Sequence, residues 1–168
     1  LWAGETVNHD RFWGLNNARI APLPAQDIEV WIGATAPAAI NRTARLAEGW
    51  LGTPSSTPQQ AKEQLNQYRQ ACAEHQRKPS AVALRRDIFI GDSVRQAEEF
   101  RSHAVAKGYR GFPEDALICG DISQVATQFA ELFEAGFTDI IVRNMASDQG
   151  QALGTIEALS DVKRQLRL

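Results

Sequence analysis

The stretch IEVWIGATAPAAINRTARLAEGW, residues 28–50, holds a strand, a turn and a helix in immediate succession. Residues 28–33 form an apolar run that predicts a buried strand ending in a glycine. A helix is predicted at about 36–48, with Thr35 as its N-cap and Pro37 in its first turn. This is the order of a βα unit, in which the turn presents backbone N–H groups that can hold an anion.

The rest of the chain repeats this alternation of apolar strands and capped helices. Gly49 is expected to end the first helix. Thr57 and Asp121 are each followed three residues later by a glutamine, which is the pattern of a capping box. The further predicted elements are strands at 50–53, 82–91, 117–120 and 137–143 and helices at about 57–76, 93–108, 121–136 and 149–165. Strands that alternate with helices predict an α/β fold with a parallel sheet and right-handed crossovers.

The composition restricts the class of protein. The 168 residues suit one domain with a sizeable core, and 43% of them are hydrophobic. The net charge of −2 and the mixing of both signs give no indication of nucleic-acid binding. No apolar run is long enough for a membrane span, and no signal peptide is indicated. Cys72 and Cys119 form no zinc motif, so the sequence predicts no metal site and two reduced thiols in a cytoplasmic protein.

Six segments of the chain, beginning with LWAGETV at 1–7 (LW-x-G-x-x-V), resemble the C-terminal half of the bacterial luciferase-like monooxygenases. They cover nearly all of the chain in the order in which that family has them. The other five segments are IAPLPAQDIEVWIGA at 20–34, ARLAEGW at 44–50, LRRDIFIGDS at 84–93, YRGFPEDALICGDISQVATQF at 109–129 and EAGFTDIIVRN at 134–144.

The resemblance implies an α/β fold in which this chain holds about strands five to eight of a (β/α)8 TIM barrel. Residues 1–27 are expected to form an irregular N-terminal arm, and residues 28–168 the partial-barrel domain. Half a barrel has two open sheet edges, which invite pairing. We therefore expect a fragment of a longer protein, a natural truncation, or half of an assembly. Such an assembly is a homo-oligomer such as a dimer, or a pairing with a missing N-terminal half.

The resemblance also implies a function. The family consists of flavin-dependent oxidoreductases and monooxygenases that use reduced flavin and oxygen on a small organic substrate. FMN is the expected cofactor, with a deazaflavin as the alternative, and a flavin reductase is the expected protein partner. The sequence indicates no catalytic acid, base or nucleophile, and the fragment alone is expected to be inactive. The alternative is a non-catalytic flavin-binding or structural truncated barrel that acts as an oligomer.

The cofactor-binding residues implied by the resemblance lie in two parts of the chain. Gly33, Ala34 and Thr35 match the turn that binds the flavin phosphate, although these residues also suit a plain strand-to-helix turn. Gly49 and Trp50 match a strand that passes the flavin ring. Burial in the core is the other interpretation of Trp50.

Arginines in two later strands are further candidates. Arg143 ends the last strand and points towards the same edge as the turn. It suits a phosphate, or an ion pair with an acid of the sheet, with Asp148 or with a carboxylate of a missing segment. The arginines at 85–86 lie within a strand and are interpreted as structural, with Asp87 or Glu29 as partner.

Overall fold

The structure, a computed structural model, describes residues 1–166. Two short strands come first, and a sheet whose strands alternate with α-helices follows. In chain order the elements are β1 (Val7–His9), β2 (Leu15–Ala18), β3 (Trp31–Gly33), α1 (Pro37–Leu46), β4 (Gly49–Gly52), α2 (Pro58–Glu74), β5 (Ala81–Ile90), α3 (Val94–Ala106), β6 (Leu117–Gly120), α4 (Ile122–Ala135), β7 (Asp139–Asn144) and α5 (Gln149–Gln165). Within this part of the chain, no helix is both long and apolar enough to cross a bilayer.

The strands β3 to β7 form one parallel sheet, which confirms the predicted α/β class. Three strands pair with β5: β4 pairs with its residues 81–84, β7 with its residues 83–88 and β6 with its residues 87–90. Because β7 overlaps both of the other pairings, β4 and β6 lie one after the other along the opposite edge of β5. The central strand of the sheet is therefore β5, and β3 pairs only with β4 among the described residues.

The predicted starts of α2, α3 and α4 are confirmed. Thr57 and Asp121 each accept a hydrogen bond from the backbone of the glutamine three residues on, and that glutamine bonds back to the cap residue. Ser93 caps α3 with its side chain. Gly136 ends α4 with a φ of 105°, a conformation that glycine adopts without strain. Local capping chemistry thus sets these helix boundaries.

The start of α1 differs from the prediction, because Thr35 is not its N-cap. Ala36 holds that position, with φ −74° and ψ 143°, and no side chain hydrogen-bonds to the first turn. Pro37 sets the boundary, since its ring favours the first helical position and keeps the preceding residue extended. The helix therefore begins one residue later than a Thr35 cap would require.

Gly49 has a packing role, and the prediction that it ends α1 is wrong. The helix ends at Leu46, and its C-cap Ala47 is already extended. Gly49 is the first residue of β4 and pairs with Trp31 of β3. A Cβ atom at Gly49 would lie 2.7 Å from Cδ1 of Trp31. The glycine therefore makes room for the indole ring.

The predicted irregular arm, residues 1–27, contains a β-hairpin. Strands β1 and β2 pair antiparallel, with Gly14 at φ 55° in their connection. The backbone N–H of Asn17 donates to Oδ1 of Asn8 at 2.7 Å. These strands are short and largely polar, so they lack the alternation of apolar and polar residues that would predict a strand. Backbone pairing together with this side-chain hydrogen bond, rather than a buried face, holds the hairpin together.

The two faces of the sheet differ in how they are covered. On one face the helices pack on a core that includes Trp50, Leu84 and Ile88, each 0% exposed. The other face, which we call the inner face, is partly open, with Trp31 and Ile141 37% and 39% exposed. Strand alternation and register place these residues on the inner face: Trp31, Gly33, Leu51, Ala83, Arg85, Asp87, Ile141 and Arg143.

Both cysteines are free and buried. Burial raises the pKa of the Cys119 thiol to about 11. Burial is likewise the largest cause of the raised pKa of Cys72. Neither thiol is therefore a reactive thiolate at neutral pH.

Candidate functional site at the carboxyl edge of the sheet

The carboxyl ends of the parallel strands meet at one edge of the sheet. In open parallel sheets and in barrels, ligands bind at this edge. Here β3 leads into the uncapped helix α1, and β4 leads into a segment rich in hydroxyl groups. The second halves of β5 and β7 carry charged side chains. Two groups of residues along this edge have the chemistry of a binding site.

The first group, which we call the uncapped turn, consists of Gly33, Ala34, Thr35 and Ala36. Gly33 and Thr35 are exposed, and a Cβ atom at Gly33 would lie 3.9 Å from its nearest neighbour, the backbone oxygen of Leu51. Space in front of the turn is therefore open. The other described helices that follow the strands have side-chain caps, which are Thr57, Ser93, Asp121 and Asp148.

Ala36 offers no such acceptor, so the first-turn N–H groups of α1 have no capping side chain. These donors lie at the positive end of the helix dipole and beside the Thr35 hydroxyl. The uncapped turn can therefore accept a phosphate or carboxylate.

A polar cavity of about 250 Å³ adjoins the uncapped turn. It is lined by Thr35 and Pro37, by Thr53, Ser55 and Ser56, and by the α2 residues Gln60, Glu63, Gln64 and Gln67. The hydroxyl oxygens of Thr53 and Ser55 lie 3.0 Å apart, and Ser56 donates to the backbone oxygen of Thr53 at 3.0 Å. These hydroxyls were not predicted as site residues, although TPSST directly after a buried strand is a signal for them.

Trp50 contacts the uncapped turn from the helix-covered side of the sheet. Its ring packs against Tyr68 and Phe137, with centroids 5.3 and 6.2 Å away. Its Nε1 donates to the backbone oxygen of Ala34 at 2.9 Å. The Trp50 side chain is therefore part of the core, as the alternative interpretation of this residue expected. It faces the helices rather than the inner face. Gly49 lies at the amino end of β4, at the far end of that strand from the turn.

The second group, which we call the arginine cluster, consists of Asp87 with Arg85, Arg110 and Arg143. Asp87 is 0% exposed. Arg110 Nη1 donates to its Oδ2 at 3.0 Å, and Arg143 Nη1 lies 3.7 Å from the same oxygen. Arg85 Nη2 lies 3.6 Å from Oδ1. The expected pairing of Arg85 with Asp87 is confirmed, and the partner of Arg143 is this acid of the sheet rather than Asp148.

A left-handed loop holds Arg110 over the end of β5. The four residues 108–111 all have positive φ, at 83°, 32°, 56° and 72°. Tyr109 and Arg110 are not glycines, so this conformation is strained. The Arg110 guanidinium also lies 4.5 Å from the ring centroid of Phe112. Burial, together with the Asp87 charge, raises the pKa of Tyr109 to about 12.

Arg86 adds a buried charge beside the cluster. It is 1% exposed, and its Nη1 donates to the backbone oxygen of Thr53 at 3.5 Å. Its Nη2 has no hydrogen-bond partner among the described residues. Burial lowers the pKa of Arg86 to about 10, so the guanidinium stays positive at neutral pH. The nearby carboxylates of Asp115 and Asp87 offset part of this positive charge.

The structure separates the predicted site residues into two places. The uncapped turn follows β3, whereas Arg143 lies on β7, three strands away across β4 and β5. At roughly 4.8 Å per strand, that separation is about 14 Å. Arg110 was not predicted as a site residue, although the flanking Gly108 and Gly111 indicate a turn at this position. Within residues 1–166, no three histidine, cysteine, aspartate or glutamate side chains are placed to hold a metal ion.

The fold is that of an α/β protein with a parallel sheet, and two groups of residues at its carboxyl edge have the chemistry to bind an anion. Comparison with known families then identifies it: the chain belongs to the luciferase-like monooxygenase family, whose model matches residues 1–115. The resemblance drawn from the sequence segments is thereby confirmed.

Two relatives are similar to part of the chain. An F420-dependent glucose-6-phosphate dehydrogenase of Microbacterium testaceum is 36% identical over 66 residues, which are 39% of this chain and 20% of that protein. The protein of the same name from Nakamurella multipartita is 34% identical over 59 residues, which are 34% of this chain and 17% of its own length. The similarity therefore spans a minor part of either dehydrogenase.

Solved structures share the fold over nearly the whole chain. The monooxygenase RslO1 from Streptomyces bottropensis has a TM-score of 0.73 and 16% identity, covering 99% of this chain and 57% of its own. An F420-dependent secondary alcohol dehydrogenase in complex with an F420–acetone adduct has a TM-score of 0.71 and 14% identity, covering 98% and 56%. The oxygenating constituent of 3,6-diketocamphane monooxygenase from Pseudomonas putida, in complex with FMN, has a TM-score of 0.67 and 16% identity. The match covers 95% of this chain and 57% of that protein. The chain thus spans a little over half the length of these proteins.

Proposed function

We propose that this chain binds the phosphate of a flavin or deazaflavin cofactor at the uncapped turn and belongs to an oxidoreductase that acts on a small organic substrate. The observation that carries the proposal is the uncapped start of α1 behind the exposed Gly33, at the carboxyl edge of the sheet. Membership of the luciferase-like monooxygenase family supports the choice of cofactor. FMN is the first candidate, and the F420-dependent relatives make a deazaflavin the second.

The residues of the turn fit a phosphate in charge and in shape. Backbone N–H groups at the start of α1 and the Thr35 hydroxyl supply donors, and the helix dipole adds a favourable field. Gly33 lets the group approach the backbone, because it places no side chain in the open space. The hydrogen bond from Trp50 to Ala34 holds the turn in place without entering that space.

The bound cofactor would supply the redox chemistry, by reaction of reduced flavin with oxygen or by hydride transfer from a deazaflavin. The residues of this chain would bind it, orient its ring along the inner face and contribute positive charge at the carboxyl edge. Trp31 offers an exposed aromatic surface on that face. With FMN, a flavin reductase would supply the reduced form, and the two free thiols fit a reducing cytoplasm as the compartment.

We also propose that the sheet is completed by further strands, so that this chain supplies about strands five to eight of a TIM barrel. Among the described residues, β3 pairs only with β4 and β7 only with β5, so both edges of the sheet have unpaired backbone groups. The exposed Trp31 and Ile141 on the inner face support the same proposal. An N-terminal half of the barrel or a second copy of the chain would cover these surfaces.

Replacing Ala36 with aspartate tests the proposed phosphate site directly. The new carboxylate would cap α1, which stabilises the protein by about 1 kcal/mol. It would also occupy the phosphate donors and repel the phosphate, so that FMN binding weakens by at least about tenfold. The measurement pairs a thermal unfolding curve with an FMN titration followed by flavin fluorescence.

The matched control is Asn66→Asp, which adds the same charge on the exposed side of α2 and should leave FMN affinity unchanged. Unchanged FMN affinity in A36D, with the expected rise in stability, would contradict a phosphate site at this turn.

A further inference from the structure

The arginine cluster carries more positive charge than its carboxylate can neutralise. Three guanidinium groups, from Arg85, Arg110 and Arg143, surround the single negative charge of Asp87. Three positive charges against one negative charge leave an excess of two. A group that brings negative charge to this place would therefore be favoured.

The hydrogen bonding of the cluster is incomplete as well. Arg110 makes the hydrogen bond to Asp87, at 3.0 Å. Arg85 and Arg143 approach the carboxylate only to 3.6 and 3.7 Å, without hydrogen bonds to it. Their side chains are 34% and 46% exposed, so both guanidinium groups are partly accessible to solvent. Forked donors of this kind match the oxygens of a carboxylate or phosphate.

Asp87 and the strained loop hold these donors in a fixed arrangement. Asp87 is buried, and it contacts one arginine from its own strand, one from β7 and one from the loop at 108–111. The left-handed φ of 56° at Arg110 is unusual for a non-glycine residue and persists where surrounding structure enforces it. Stacking on Phe112 restricts the Arg110 side chain further. The donors are therefore organised before any ligand arrives.

We propose that Arg85, Arg110 and Arg143, positioned by Asp87, form a second anion site on the inner face, which binds a carboxylate or phosphate group of the substrate. The site lies two strands (Arg85 on β5) to three strands (Arg143 on β7) from the uncapped turn, so one phosphate group does not fill both places at once. This assignment of the occupant rests on the proposed function, whereas the anion site itself rests on the cluster alone. The substrate class is therefore an anionic small molecule.

Inorganic phosphate is the probe for the site. We expect millimolar phosphate to shift the Nε–Hε resonances of Arg85, Arg110 and Arg143 in nitrogen-15 spectra of the 168-residue chain. Arg110→Gln and Arg143→Gln should each weaken phosphate binding by about tenfold, because each removes one charge-assisted donor set. Arg143→Lys should recover only part of the affinity, since lysine lacks the planar fork. The control is Arg95→Gln, because Arg95 forms an exposed pair with Glu99 on α3.

Titrations with saturating FMN and with riboflavin, which lacks the phosphate, identify the occupant. Phosphate that still binds the arginines in the presence of FMN supports a separate substrate site. Displacement of the phosphate by FMN but not by riboflavin would overturn it, since the cofactor would then fill the cluster. Phosphate shifts that are absent, or equal in the Arg→Gln variants and the wild type, would overturn the anion site itself. Failure of FMN to bind at all would count against the proposed function and leave the phosphate result intact.

Discussion

Replacing Trp50 with alanine is expected to lower the free energy of unfolding by about 4 kcal/mol. Trp50 is 0% exposed and packs against Tyr68 and Phe137 between the sheet and the helices. Removing the indole leaves a large cavity in a core that is packed from several elements, so neighbouring side chains can close only part of it. The backbone oxygen of Ala34 also loses its 2.9 Å donor.

Urea unfolding followed by circular dichroism measures the effect without relying on tryptophan fluorescence. Trp13→Ala is the matched control, because Trp13 is 76% exposed and its removal should change stability by less than about 0.5 kcal/mol. Trp50→Phe keeps an aromatic ring but removes the N–H, and should cost about 1–2 kcal/mol for the unpaired Ala34 oxygen. A loss below about 1 kcal/mol in W50A would contradict the placement of Trp50 in the core.

Replacing Asp87 with asparagine is expected to cost about 3 kcal/mol of stability, at the low end of the range for breaking a buried ion pair. The change keeps the shape of the side chain but removes the negative charge that Arg85, Arg110 and Arg143 share. It also directs an amide NH2 group towards arginine donors. The cost stays at the low end because these arginines are 34–46% exposed, and water takes up part of their charge.

The control for this variant is Glu99→Gln, which removes an exposed partner of Arg95 and should change stability by less than about 0.5 kcal/mol. Raising the phosphate concentration should restore part of the stability lost in D87N, because an anion can replace the missing carboxylate charge. The same phosphate should have little effect on the Glu99→Gln variant relative to wild type. A D87N variant as stable as wild type would show that the buried carboxylate does not organise the cluster.

Local signals predicted most of the fold. The capping boxes at Thr57 and Asp121, the Ser93 cap and the glycine at 136 place three helices almost to the residue. The largely apolar second half of β5 and the apolar run of β7 identify these two strands, since strands covered by helices need apolar side chains. These features are readable because each depends on residues that are close in the chain.

The wrong predictions concern positions where a residue other than the one in the motif determines the local structure. Pro37, rather than Thr35, fixed the start of α1, and the Trp31 indole explains Gly49 better than a helix end does. The hairpin in residues 1–27 depends on backbone pairing and a side-chain to backbone bond that leave no periodic pattern. Each of these features becomes visible only when the contact partner is known.

The candidate site was predicted only in part, because some of its residues are adjacent in the chain and others are not. The turn at residues 33–35 could be identified because glycine, hydroxyl and helix start are consecutive. For the arginine cluster, the Arg85–Asp87 pair was predicted, but the full cluster was not, since Arg110 and Arg143 come from separate segments that only the folded sheet brings to Asp87. A sequence shows that arginines need partners, but not which partner they share.

The affinity ratio of FMN to riboflavin tests the central claim most directly, because the two molecules differ only in the phosphate. Both are titrated into the 168-residue chain and followed by flavin fluorescence at fixed, low ionic strength. We predict that FMN binds at least about tenfold more tightly, since the uncapped start of α1 supplies charge-assisted donors to the phosphate alone. Equal affinities for FMN and riboflavin, or no binding of either, would contradict a cofactor-phosphate site at the uncapped turn.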